Sequence, residues 1–435
     1  MRIIIPKEVK FIIDKIYEYG FEAFIVGGCV RDSILGLKPN DYDITTNAKP
    51  KDIKNIFKEY KILENGIKHG TVGVIIEKEV YEITTYRIES EYEDSRRPKS
   101  VEFTKNIVED LKRRDFTINA MAYNDKVGLI DAFNGIDDLD DKIIRTVGHP
   151  DDRFTEDGLR IIRAVRFSCK LGFKIEEKTL NSIYKNANII KNISIERITE
   201  EFTKAILSEN PNNIIILFDS NILANLGIYI DNGRFDFKVL EKNINILKEC
   251  QKDLKDRIVI LEYLIVNEKI KSINDENERI KYYNTYIQQQ NIVNNLKYPN
   301  KLTNSCNTYL QYMILDEQKF DVVKIKKMIN NIGMEEFVKV ISLKKKYYNN
   351  FKSNTKAINT KKENDFLDKI INIVNEIDIN KECYSIKDMD INGQILSELG
   401  YKGKEIGEKL NYLLEEVLKN PTLNKRTQLI KLLEQ

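Results

Sequence analysis

The chain is short of the features that mark oxidising compartments and membranes. Its five cysteines, Cys29, Cys169, Cys250, Cys306 and Cys383, are far apart and form no Cys-x-x-Cys pair, which argues against zinc and against a disulfide framework. The opening MRIIIPKEVK has too short an apolar run for a secretory leader, and no stretch reaches the length of a membrane span. An excess of charge is missing as well. With 70 Lys and Arg against 68 Asp and Glu, the formal net charge is +2, so affinity for nucleic acid has to come from local patches. No solenoid-type repeat is evident in the 435 residues, a length that suits about two to four domains. A soluble, cytoplasmic protein is expected. The heavy use of Ile, Lys and Asn reads as the imprint of an AT-rich genome, so Lys and Asn runs in the second half carry no functional weight by themselves.

What is present is concentrated in residues 25–45, IVGGCVRDSILGLKPNDYDIT. The apolar run Phe24-Ile25-Val26 predicts a strand. Gly27 and Gly28 let the backbone turn tightly and approach a triphosphate with no β-carbon in the way, and the helix opening at Val30 favours anions at its start. Arg31 follows as a candidate phosphate ligand. After the turn at 35–39, Asp41-Tyr42-Asp43-Ile44 alternates polar and apolar, which predicts a strand with Asp41 and Asp43 on one face. Hard oxygen ligands that close suit Mg²⁺, and two such ions would activate a 3′-hydroxyl and stabilise a leaving pyrophosphate. Alone, a Gly-Gly pair or an Asp-x-Asp is a common turn or strand end. The ordered combination is the pattern of a metal-dependent nucleotidyl transferase.

Up to about residue 135 the pattern is mixed. An amphipathic helix carries Val9, Ile12, Ile13 and Ile16, strands are expected around 22–26, 41–45, 72–77 and 80–85, and a helix from Pro50 to about Tyr60. Beyond Gly135 helical periodicity dominates, with breaks near Asn210-Pro211, Asn232-Gly233, Tyr298-Pro299, 350–365 and Asn420-Pro421. The section 381–435 reads as its own packing unit, with Ile406, Leu410, Leu413, Leu414, Val417 and Leu418 on one helix face.

Several further constellations carry charge. Glu82, in the strand Val80-Tyr81-Glu82-Ile83-Thr84, is a candidate third carboxylate, although a lone acid on a strand's exposed face is more often merely solvated. Residues 87–101 predict a charged loop in which Arg96 and Arg97 either touch a phosphate or stay solvated. In EDLKRRDFTINAMA, Leu111, Phe116, Ile118 and Met121 would bury one side and leave Arg113, Arg114, Asp115 and Asn119 polar. Guanidinium forks there fit triphosphate oxygens, and surface ion pairs are the alternative. In EDGLRIIRAVRFSCKLGF (156–173), Asp157, Arg160, Arg163 and Arg166 step round one half of a helix while Ile161, Ile162 and Val165 take the other. Cytosine and adenine both present an amino donor beside an unprotonated ring nitrogen. A carboxylate with a guanidinium therefore accepts C and A and meets like with like in G and U. An ordinary i,i+3 ion pair is the other reading.

Taken together, GGCVRD, DYDI, HGTV, the RRP loop, RRDFTINAMA, DAFNG and EDGLRIIRAVRF closely resemble, in order, the bacterial-type class II tRNA nucleotidyltransferases, the CCA-adding family. The resemblance covers about the first half of the chain. It implies an α+β polymerase-β-like head at 1–136, a helical neck with a nucleotide-reading helix at 137–208, a helical body at 209–330 and a tRNA-binding tail at 331–435. It further implies Mg²⁺ at Asp41 and Asp43, nucleotide contacts from Gly28, Arg31, Arg114, Asp157, Arg160, Arg163 and Arg166, and CTP, ATP and the tRNA acceptor end as partners. The tail segment DINGQIL…LGYKGKEIGEKLNYLLEEVLKNP is also similar to relatives. Poly(A) polymerases share head and neck, but their basic, His-containing strand motif is replaced here by HGTV. CC-adding relatives lack the loop that Arg96-Arg97-Pro98 supplies. With only His69 and His149, the chain cannot build the metal-dependent phosphohydrolase module that some relatives carry. A different class, an RNA-binding protein with a dead head, is opposed by the intact Asp41 and Asp43.

Overall fold

The structure is a computed structural model that describes residues 2–89, 92–93, 97–98, 101–228, 240–241, 243–273, 275–314, 321–351 and 357–434. Two compact units emerge, Met1–Arg257 with Asn274–Pro299, and Ile258–Ile273 with Asn300–Gln435.

The first unit begins with α1 (Lys7–Glu18), which buries the expected Val9, Ile12, Ile13 and Ile16 at helical spacing and stops before Gly20, whose φ is +80°. Next come β1 (Ala23–Val26), α2 (Gly28–Ile34), β2 (Ile44–Thr46), α3 (Pro50–Ile56), β3 (Lys61–Leu63), β4 (Thr71–Ile76) and β5 (Glu79–Thr85). Helix α3 ends four residues short of the expected Tyr60. Then β6 (Arg87–Glu89) pairs with β9 (Val101–Phe103), and β7 (Tyr92–Glu93) with β8 (Arg97–Pro98). The expected loop is therefore a paired excursion in its described part, and Arg96 lies outside the described residues.

After α4 (Ile107–Lys112) come β10 (Met121–Asn124) and β11 (Gly128–Asp131), two strands that the sequence reading missed. They close a seven-stranded sheet of order β11-β10-β1-β2-β5-β4-β3, antiparallel except for β2 on β5. Every residue of β1 is buried, as a central strand covered on both faces requires. Phe24 and Val26 look onto Ile107 and Leu111 of α4 together with Ala120, Ala122 and Val147. That packing sets α4, and the arginines following it, over the end of the sheet where β1 gives way to α2.

Helices then dominate: α5 (Gly135–Asp140), α6 (Pro150–Glu156), α7 (Leu159–Leu171), α8 (Glu177–Asn186) and α9 (Ile195–Ile206), with α7 packed on α9. One two-residue parallel pair, Ile143–Ile144 with Lys174–Ile175, interrupts the helical pattern. The single helix expected over 156–173 is broken. Asp157 is extended (φ −142°, ψ 102°), and Gly158 lies so close to Ile189 that a β-carbon would stand 2.6 Å from its Cγ2.

The second unit is helical throughout its described secondary structure, including Asn300–Ile314, Val322–Ile332, Met334–Phe351, Ala357–Ile379 and Lys404–Lys419. As expected, Lys404–Lys419 buries Leu410, Leu413, Leu414, Val417 and Leu418, against Met389, Ile391, Leu396 and Leu429; Ile406 is partly buried. The break expected at Asn232-Gly233 lies outside the described residues, as does part of 350–365. All five cysteines are buried and outside any disulfide. Among the described residues no helix is long and apolar enough to cross a membrane.

Candidate active site

Strand β2 starts only at Ile44, so Asp41 and Asp43 lie in the segment entering the strand rather than within it. The ladder nevertheless reaches back to them, because the Val26 amide donates to the Asp43 carbonyl at 3.0 Å. On the other side the parallel register pairs Ile44 with Ile83, which sets Asp43 beside Glu82, the preceding residue of β5. The Glu82 carboxylate thus lies within the electrostatic reach of Asp43. Asp43 is accessible to water yet crowded by protein, and its pKa is raised: desolvation is the largest cause, opposed by the Arg114 charge and reinforced by Asp41 and Glu82. Asp43, its ionised form disfavoured by Asp41 and Glu82 and open to solvent, is a group that a hard divalent cation would relieve. Among the described residues no group of three or more His, Cys, Asp or Glu side chains is placed so that together they could hold a metal ion, so any cation here would rest on fewer protein ligands. A site of this kind leaves coordination positions for substrate oxygens and water.

The turn next to these acids does what its glycines predict. Gly27 adopts φ +79°, ψ −127°, open to glycine and hostile to other residues, and a β-carbon there would meet Arg114 Nη1 at 3.0 Å. Arg114 is held loosely. Its Nη2 lies 3.5 Å from Asp110 Oδ2, and its buried Nε has no hydrogen-bond partner. Cys29 is inert at neutral pH, because burial, and secondarily the Asp43 charge, push its thiol up to about 11.

Arg31 is placed differently from the expectation of a free phosphate ligand. It is 3% exposed, donates from Nε to Asp32 Oδ1 at 2.8 Å and from Nη1 to Asn119, and stacks over the Phe167 ring at 5.0 Å. Phe167 belongs to α7, and the guanidinium groups of Arg163 and Arg166 also lie over its ring, at 5.4 and 3.8 Å.

The charged side of α7 is paired rather than solvated. Arg163 donates to Asp115 Oδ2 from Nε at 2.9 Å and from Nη2 at 2.6 Å, and Arg166 is bound to Glu201 of α9. Asp115 also accepts from Asn119 at 3.1 Å, which completes the chain Arg31, Asn119, Asp115, Arg163, Glu201, Arg166. Lys170 of α7 meets Asp32 of α2 at 3.2 Å. Asp157 and Arg160, expected to face a base together, have separate partners. Asp157 accepts the Leu159 amide at 3.1 Å and pairs with Arg197 at 3.2 Å. Arg160 is 8% exposed and donates to Glu156 at 2.7 Å and to the Arg113 carbonyl at 2.9 Å. The sequence reading missed Asp110, Glu201, Arg197 and Phe167 as parts of this site. A weak signal existed for Glu201, an acid at the buried face of an otherwise regular helix.

Residues 23–145 match the family of the poly A polymerase head domain, and residues 172–227 match the family described as the probable RNA and SrmB-binding site of polymerase A. The chain is 44% identical over 285 residues to a CCA-adding enzyme of Ligilactobacillus salivarius, which covers 64% of this chain and 70% of that enzyme. It is 50% identical over 206 residues to a CCA-adding enzyme of Pediococcus pentosaceus, covering 47% of this chain and 52% of that enzyme. A match to that of Enterococcus faecalis, also 50% identical, likewise spans half of the relative's length. The crystal structure of the Bacillus stearothermophilus CCA-adding enzyme in complex with CTP is similar over 98% of this chain and 96% of that one, with a TM-score of 0.69 at 26% identity. The Thermotoga maritima CCA-adding enzyme complexed with tRNA shares the fold, with a TM-score of 0.63 at 21% identity over 100% of this chain and 99% of that one.

Proposed function

The chain belongs to the family of CCA-adding enzymes, and from that premise we propose that it adds C, C and A in turn to the 3′ end of tRNA from CTP and ATP, releasing pyrophosphate at each step. The observation that carries the proposal is the placing of Asp43, just before β2, near Asp41 and near Glu82 of the neighbouring interior strand β5, with Arg114 and the Gly27-Gly28 turn close by.

Asp41 and Asp43, aided by Glu82, would hold Mg²⁺, which when bound supplies positive charge to the α-phosphate and to the attacking hydroxyl. The chain's own residues do the rest. Gly27 and Gly28 keep side chains away from the phosphates, and Arg114, with donors to spare, neutralises them. Arg31 contributes to nucleotide binding from within, by fixing Asn119 and the Phe167 ring. Attack of the tRNA 3′-oxygen on the α-phosphorus breaks its bond to the bridging oxygen, and pyrophosphate leaves with that electron pair. Asp157 and Arg160 read the base edge, exchanging Arg197 and Glu156 for the base, with Arg163 and Arg166 behind them. We also propose the division into head (1–136), neck (137–208), body (209–330) and tail (331–435), with tRNA along the helical portion, and a cytoplasmic location.

The test is incubation of the protein with Mg²⁺ and tRNA ending at its discriminator base, with each of the four nucleotides singly and in pairs. Two C additions followed by one A are expected. Repeated A from ATP alone would make it a poly(A) polymerase, arrest after CC or addition of A alone a partial enzyme, and tRNA binding without addition a dead head.

A further inference from the structure

Asp110 is the least exposed carboxylate near the site, at 0%, and nothing in the proposed chemistry employs it. It sits on α4, one turn before Arg114. Its Oδ1 accepts from Arg113 Nε at 3.0 Å and Nη2 at 2.8 Å, and from the Arg87 amide at 3.2 Å. Its Oδ2 faces the Thr45 hydroxyl at 3.4 Å and Arg114 Nη2 at 3.5 Å. Burial acts to raise its pKa, but the charges of Arg113 and Arg114 outweigh that, and the carboxyl stays ionised below the usual range.

One guanidinium would suffice to neutralise a buried carboxylate, and here two converge on it. Arg113 takes Oδ1 through two converging charge-assisted donors, Nε and Nη2. Arg114 is left with one long contact and a buried Nε without a partner. The trio carries one surplus positive charge, and it falls on the guanidinium next to Gly27 and within the field of Asp43. The other contacts of Asp110 tie down the surroundings: Thr45 lies two residues after Asp43, and Arg87 opens the excursion that reaches Arg97. We propose that Asp110 is a positioning residue that holds Arg114, with its remaining donors free, at the place where the nucleoside triphosphate binds. The inference rests on the nucleotidyl-transfer reading above and names a determinant of its nucleotide affinity.

The experiment compares the full chain with Asp110→Asn, Arg114→Ala and the double variant. KM for CTP and for tRNA and kcat are read in the addition assay, and CTP affinity is read separately by equilibrium dialysis with Mg²⁺. Loss of one charge-assisted contact predicts CTP binding weakened about tenfold in Asp110→Asn, with KM for tRNA unmoved. In the Arg114→Ala background the same change should weaken CTP binding no further, since the residue it acts through is gone. Losses that multiply in the double variant, or a fall in kcat with CTP affinity unchanged, would make Asp110 a purely structural group. If Asp110→Asn does not fold, Thr45→Val removes the hydroxyl that Oδ2 shares, at 3.4 Å, with the Thr84 carbonyl at 3.1 Å. It should weaken CTP binding about twofold to threefold, a modest share of a neutral hydrogen bond, with recovery in Thr45→Ser; unchanged CTP affinity in Thr45→Val would overturn the proposal. A parent that binds CTP but adds nothing would fail the activity reading, and the dialysis would still decide the role of Asp110.

Discussion

The acidic group beside β2 and β5 and the charged side of α7 both gather ionised groups, yet they are built on opposite plans. Asp41, Asp43 and Glu82 share one sign, face water and raise the pKa of Asp43. Along α7 the signs alternate, the partners are largely buried, and each named guanidinium has a carboxylate in reach: Arg160 with Glu156, Arg163 with Asp115, Arg166 with Glu201. The first arrangement is electrostatically incomplete and asks for a cation; the second is complete and holds its elements in place. Removing a charge should therefore have opposite consequences in the two regions.

The largest contrast is expected from Asp43→Ala. Single-turnover addition of C to truncated tRNA should fall by at least about a thousandfold, the upper range for removing one preorganised electrostatic group. Its thermal midpoint should hold or rise, because like-charge repulsion is relieved. Retention of more than a small percentage of activity would remove Asp43 from the catalytic role. On α7 the reverse holds. Asp115→Ala removes two charge-assisted hydrogen bonds from Arg163, which keeps its 3.8 Å contact with Glu201, and should destabilise the first unit by about 1.5–3 kcal/mol in urea unfolding. A loss confined to activity, with stability intact, would put Asp115 in the same class as Asp43.

Asp157→Ala sharpens the boundary between the two plans, since Asp157 is both a helix cap and a proposed base reader. Loss of a charge-assisted hydrogen bond is worth roughly 1.5–3 kcal/mol, about tenfold to a hundredfold in discrimination. The ratios of CTP to UTP and of ATP to GTP incorporation should drop by that factor. If rate falls while both ratios keep parental values, the residue only caps α7 and anchors Arg197.

The smallest expected effect is acid sensitivity. Burial would raise the pKa of Asp115, but the Arg163 charge and the hydrogen bonds from Asn119 and Arg163 hold it at about 2. A depressed folded-state pKa supplies stability that is complete above the unfolded value near 3.9 and drains as pH falls toward 2. The contribution is roughly 2 kcal/mol. Urea unfolding of the parent between pH 5 and pH 2.5 should show this decline, and Asp115→Asn should flatten it; parallel pH curves would assign the decline to other carboxylates.

Local signals were legible in the sequence, and pairings across the fold were not. The stripe of α1, the turn at Gly27 and the packed face of Lys404–Lys419 each depend on residues a few positions apart, where helical spacing and glycine speak directly. β10 and β11 are four residues each, too short to establish a period of two, and their β character comes from the neighbours they close against. The helix break at Asp157 follows from Gly158 pressing on Ile189, a contact between segments thirty-one positions apart. Likewise Arg31 looks like an exposed phosphate ligand in a linear reading. Its partner Asn119 lies 88 residues away, and only folding reveals that the fork is already engaged.

The ring of Phe167 beneath three guanidinium groups, with Asp115 and Glu201 between them, also constrains how this sequence can drift. Neutralising Arg163 leaves the buried Asp115 without its guanidinium partner, and neutralising Arg166 does the same to Glu201 at its shortest contact, so a substitution at one position creates selection at the others. Asp115, Arg163, Glu201 and Arg166 are expected to vary among descendants as a block. Their joint presence or joint replacement would serve as a marker of common ancestry more durable than any one of them.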